Sequence, residues 1–241
     1  MKRKLSILSM IARHSLGKVF WILLAVPALN GLMFWDKKGE SYQPVYQIMD
    51  SGEALGLFLL CLVLMTLALC AALRDKGGRQ NYFLNRLEIS PRAIYWNHVL
   101  YNSMCYFLLF AAEGLSLFGI VFWNSQLFPE SFNHQRLMLE CYMSSMVHMF
   151  FPLSDVLSWV VLGVMILSFG ICSAAMSTIQ RRGKWDIAAI LLLGVVTIYG
   201  HLQLETHALT LDGKIIALCG CVLVSLPALL SSVRREVTEN D

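Results

Sequence analysis

The chain has 241 residues, of which 57% are hydrophobic and 15% charged, against a charged share of roughly a quarter in soluble domains. Its apolar residues fall in blocks long enough for a bilayer, which takes ~20 residues per crossing helix, and this leaves no room for a large soluble domain. The net charge of +3 comes from basic residues beside those blocks, a pattern that orients a chain in a membrane and excludes a nucleic-acid-binding reading.

Residues 1–18 place Leu5, Leu8, Ile11, Ala12 and Leu16 on one helical face, with Lys2, Arg3, Lys4, Arg13 and Lys18 supplying cations. This predicts an N-terminal amphipathic helix along the inner membrane surface, its lysines near anionic headgroups. The first apolar block, 19–35, ends in Phe34 and Trp35 without a small-x-small cleavage site, so it is expected to stay as a spanning helix. Further spans are expected at 54–73, 97–123, 156–179, 187–203 and 215–233. The fold class is therefore all-α: one transmembrane domain, 1–241, with six helices.

Orientation follows from the 19 lysines and arginines. Four of them, Lys37, Lys38, Arg136 and Lys214, fall in one set of alternating connections, and the other fifteen in the opposite set. Basic residues collect on the cytoplasmic side, so both termini are expected there. Trp21, Trp35, Trp96, Trp123, Trp159 and Trp185 all lie near proposed span ends, where an indole buries its ring and keeps its N–H wet.

The inner loop 74–92 reads RDKGGRQNYFLNRLEISPR. Gly77 and Gly78 end the preceding helix. Tyr82, Phe83, Leu84, Leu87 and Ile89 recur at helical spacing between Arg79, Asn85 and Arg86, and Ser90-Pro91 supplies a cap and a first turn for the next helix. A short amphipathic helix over 79–89 is predicted. The outer loop 124–155 is long for a connection. Its apolar stretch 137–151 is too short to span, so one interfacial or re-entrant helix is expected there.

Nucleotide and catalytic motifs are absent: no G-x-x-x-x-G-K-[ST], no H-E-x-x-H and no G-x-S-x-G. The cysteines suggest no disulfide framework, since only Cys141 lies in a long loop. Cys141, Met143, Met146, His148 and Met149 gather soft ligands that suit copper(I). Methionine also fills apolar faces, and no tight ligand spacing is present, so no metal is expected. Glu113 is the one acidic residue well inside a span. Its charge is costly in lipid, which leaves two readings open: a polar group on a substrate path, or a hydrogen-bonded carboxyl between helices.

The order of these features, with R-x-K-G-G at 74–78, N-Y-F-L-N-R-L at 81–87 and I-S-P-R at 89–92, resembles the permease subunits of ABC transporters of the ABC-2 type. The small six-span bacterial members serve in bacteriocin and antibiotic efflux or immunity. The resemblance implies a connecting helix at 1–18 and a coupling helix in the first inner loop. Arg79, Tyr82, Phe83, Leu84, Arg86 and Leu87 would dock that coupling helix on a separate ATPase subunit. It further implies a second permease half, the same chain or another, in a bacterial cytoplasmic membrane. ATP and Mg would sit on the partner ATPase, with no cofactor on this chain and no catalysis by it alone. One departure is that the long outer loop here lies between spans three and four, while 201–214 is short. From the residues alone, a membrane enzyme with an unrecognised active site and a membrane scaffold or assembly factor stay as alternatives.

Overall fold

The computed structural model describes residues 2–38, 43–71, 91–131, 134–152, 155–180, 188–206 and 211–237. Among these every regular element is helical. In chain order they are α1 (Lys2–Lys37), α2 (Val45–Met49), α3 (Glu53–Ala71), α4 (Pro91–Leu127), α5 (His134–Met143), α6 (Ser145–Phe150), α7 (Val156–Gln180), α8 (Ala188–Thr206) and α9 (Leu211–Val237), with one 3-10 turn at Pro129–Ser131.

Five helices contain stretches long and apolar enough to cross a membrane: Ser15–Lys37, Glu53–Cys70, Arg92–Leu127, Val156–Thr178 and Leu211–Leu230. The helix α8 has a shorter apolar stretch, Ala188–Leu204. Leu24, Leu64, Leu108, Leu115, Leu167 and Leu223 stand exposed along these helices. A continuous apolar belt of that kind suits lipid and not water. The chain is a multi-pass helical membrane protein.

Two features differ from the sequence-based expectation. The connecting helix at 1–18 and the span at 19–35 are one unbroken helix of 36 residues, about 54 Å at 1.5 Å per residue. No helix breaker separates the two predicted pieces: Gly17 sits within the helix with open space where a Cβ would stand, and Pro27 is accommodated farther along. The stretch 137–151 is two helices and not one. Ser144 divides α5 from α6, and its hydroxyl accepts from Val147 N–H at 3.4 Å as the cap of α6. The short α2 was not foreseen at all. Trp21, Trp35, Trp96, Trp123 and Trp159 are exposed on the helices that carry them, and Trp185 lies outside the described residues.

Cross-helix contacts fix the two ends of the bundle. At one end Asn102 Nδ2 donates to Ser173 Oγ at 2.9 Å, Tyr95 donates to the Ile171 carbonyl at 3.5 Å, and Cys70 approaches the Ser173 carbonyl. The end of α3 and the start of α4 therefore share one level with the later half of α7. At the other end Lys37 pairs with Glu53 at 2.9 Å, and Lys214 pairs with Asp155. The helices α2, α5 and α6 form a cap there. Asp50 accepts from Ser145 N–H at 3.0 Å, Met146 N–H at 3.1 Å and Ser144 Oγ at 3.2 Å. Glu140 of α5 accepts from Val45 N–H at 2.7 Å at the start of α2. Each carboxylate meets N–H groups at a helix start, which lack intrahelical partners.

Candidate functional site

The helix α6 is a wedge driven into the bundle. Ser145, Met146, Val147, Met149 and Phe150 are all buried. Phe150 meets Phe58 of α3 at 4.7 Å and Phe110 of α4 at 5.7 Å between ring centroids, and those two rings meet each other at 5.0 Å. Phe151 packs edge-on against Phe118 at 5.3 Å. The wedge fits because α4 has no side chain at Gly114: a Cβ there would overlap the Phe151 ring and lie 3.4 Å from Phe150 Cβ.

The residue beside that glycine is Glu113, 1% exposed. It lies about 21 Å from the Leu127 end of α4 by helix rise. Asn30 of α1, also 1% exposed, donates through Nδ2 to Glu113 Oε1 at 2.8 Å and to Ser116 Oγ at 2.7 Å. Ser116 in turn donates to the Glu113 carbonyl at 2.8 Å. Among the described residues no lysine, arginine or histidine pairs with Glu113. Cys61 of α3 lies near enough to interact with its charge. The centre is thus a carboxyl, a carboxamide, a hydroxyl and a thiol from three helices, roofed by aromatic rings.

Of the residues marked in the sequence, Glu113 alone enters this centre. It is a hydrogen-bonded carboxyl between helices, and that geometry is compatible with either reading of its role. Arg79, Tyr82, Phe83, Leu84, Arg86 and Leu87 lie outside the described residues. The soft-ligand residues face different ways. Cys141, Met146 and Met149 are buried in the core, whereas Met143 is 52% exposed. The His148 ring nitrogen Nε2 meets the Tyr142 carbonyl at 2.7 Å. Among the described residues no three His, Cys, Asp or Glu side chains are grouped to hold a metal ion. Cys141 is a poor nucleophile: burial pushes its thiol up, and the Glu140 charge beside it adds to the effect.

Sequence reasoning passed over Asn30. The signal was present, since it is the one strongly polar residue between Val19 and Phe34, and such a residue seeks a partner on a neighbouring helix. Compared with protein-family models, with curated proteins and with solved structures, the chain matches none.

Proposed function

We propose that this chain is the membrane-spanning permease subunit of an ATP-driven ABC transporter of the ABC-2 type, acting as an exporter. It would form the substrate pathway with a second permease half and be driven by separate ATPase subunits carrying ATP and Mg. In this reading the chain crosses a bacterial cytoplasmic membrane six times with both termini inside, α8 making the fifth crossing and the basic start of α1 standing at the inner side.

The observation that supports this most is where α3 ends and α4 begins. Both helix ends lie at the end of the bundle opposite the cap, as the contacts of Cys70 and Tyr95 with α7 require. The fifteen-to-four basic bias assigns that end to the cytoplasm. The R-x-K-G-G and N-Y-F-L-N-R-L motifs belong to the sequence between these two helices, outside the described residues, and in this reading they would meet a soluble partner. Phe83, Leu84 and Leu87 would anchor the contact, and Arg79 and Arg86 would steer encounter with an acidic edge. The Glu113 centre would line the pathway.

Photocrosslinking from position 83 in native membranes tests the partnership, with an ATPase subunit as the expected adduct. Phe83→Ala should loosen that contact by about 1–3 kcal/mol, the range for an interface anchor. Adducts to lipid alone would refute the assignment.

A further inference from the structure

Asn30 and Glu113 are joined by half of a possible pair. Asn30 Nδ2 uses both its hydrogens, one on Glu113 Oε1 at 2.8 Å and one on Ser116 Oγ at 2.7 Å. The other end of the same amide, Oδ1, is buried without a hydrogen-bond partner. A buried acceptor left unmet is costly. An ionised carboxylate has no donor to offer it. A carboxylic acid does.

We propose that Glu113 is a proton-binding site, in which a proton on Oε2 is donated to Asn30 Oδ1 and closes a two-bond acid–amide bridge between α1 and α4. The contact from Asn30 Nδ2 to Oε1 is already in place, and closure would join the second oxygen of that carboxyl to the unmet Oδ1 of the same amide. The proton comes from water and returns to it, and no other bond changes. Proton occupancy then decides whether the two helices are joined by one hydrogen bond or by two. In the unloaded form a carboxylate and an amide carbonyl lie side by side, both acceptors, in apolar surroundings that favour neither. This inference concerns the chain's own helices and stands apart from the ATPase partnership.

Among the described residues no ion pair reaches Glu113. From α3 the titratable neighbour is Cys61. From α6, His148 turns to the Tyr142 carbonyl, and Phe150 and Phe151 cover the adjacent glycine. From α5, Glu140 is held by Val45 N–H and Arg136 is exposed. The helix α2 offers the Tyr46 phenol and α7 the Cys172 thiol. On α1 itself the nearest charges, Asp36 and Lys37, lie more than a turn from Asn30.

Infrared difference spectroscopy of the full chain in lipid nanodiscs tests the site. At neutral pH a protonated carboxyl stretch should be present, lost in Glu113→Gln and shifted in Asn30→Leu. On raising the pH it should convert to a carboxylate band, and the side-chain carbonyl of isotope-labelled asparagine should move with it. Glu113→Gln donates an N–H to Asn30 in place of the acid proton, so it mimics the loaded state and should fold, with the labelled amide no longer responding to pH. Loss of a carboxylate band in Glu113→Gln at neutral pH would overturn the proposal. So would a carboxyl stretch indifferent to Asn30→Leu. If Asn30→Leu does not fold, asparagine bands that stay fixed through the titration of the native chain overturn it equally.

Discussion

At Gly170 α7 lies hard against α4, and replacing it by alanine puts a definite strain on that contact. The added Cβ would overlap Ser103 Oγ and lie 3.0 Å from both Ser103 Cβ and the Val99 carbonyl oxygen. The hydroxyl can rotate away, but a backbone carbonyl cannot, so the two helices must separate locally. Overpacking of this sort costs about 1–3 kcal/mol. Alanine recovers about 0.5–1 kcal/mol of helix preference over glycine. The net expectation is a loss on the order of 1–2 kcal/mol, or several degrees in the melting temperature of a chain this size. Gly163, on the same helix, has nothing within 4 Å of an added Cβ, so Gly163→Ala should leave stability unchanged or raise it. Tryptophan fluorescence of detergent-purified protein on heating reads both variants. Ser103→Ala should be mild by itself, because Ser103 Oγ is buried without a partner, and it should recover part of the Gly170→Ala loss. If Gly170→Ala melts at or above Gly163→Ala, the close packing of α4 on α7 is wrong.

Asp155 caps α7 through Leu157 N–H at 3.0 Å and pairs with Lys214 at the start of α9. The Lys214 hydrogen bond, followed by the Leu157 N–H, holds its carboxyl below the usual aspartate range. A depressed folded value means that the contribution is present above the unfolded value of about 3.9 and fades as the pH falls through the folded one. Asp155→Asn should therefore melt below the parent near neutral pH and converge with it in acid; a gap that persists below both values would refute the pairing. Cys141 is buried and its thiol is raised, so a water-soluble maleimide should leave it unmodified in the folded protein and label it on denaturation. Rapid labelling in native vesicles at neutral pH would show that α5 does not pack as described. A single cysteine at position 40 should be labelled from outside and one at position 184 from inside, and the reverse would invert the orientation.

The spanning helices were legible because a bilayer imposes a one-dimensional rule: twenty apolar residues in a row have few other uses in water. Glu113 was legible for the same reason, since a charge interrupts such a row visibly. Asn30 was harder, because an uncharged amide hardly lowers the hydropathy of its span. The break at Ser144 was not legible at all. The stretch 137–151 is mostly apolar and holds no glycine or proline, and the Asp50 carboxylate that splits it, bonded to Ser145 and Met146, comes from an earlier connection. Local pattern carries no trace of an acceptor so far away in the chain. The continuity of α1 was not foreseen, because a basic, amphipathic start resembles a separate surface helix, whereas nothing in 1–18 actually ends a helix.

That same Asp50 contact constrains how the protein is made. Its carboxylate and the amides it serves are 95 and 96 residues apart, with two membrane helices inserted between them. During synthesis Asp50 must wait on the water side, hydrated, until α4 has crossed and the segment after it has followed. Before α6 seats, the rings of Phe58 and Phe110 have no Phe150 to close on. The cap is therefore a late product of biogenesis, completed only when the chain is past Phe151. A ribosome stalled before that point would leave a membrane intermediate with its helices threaded and the cap end of its bundle unsealed.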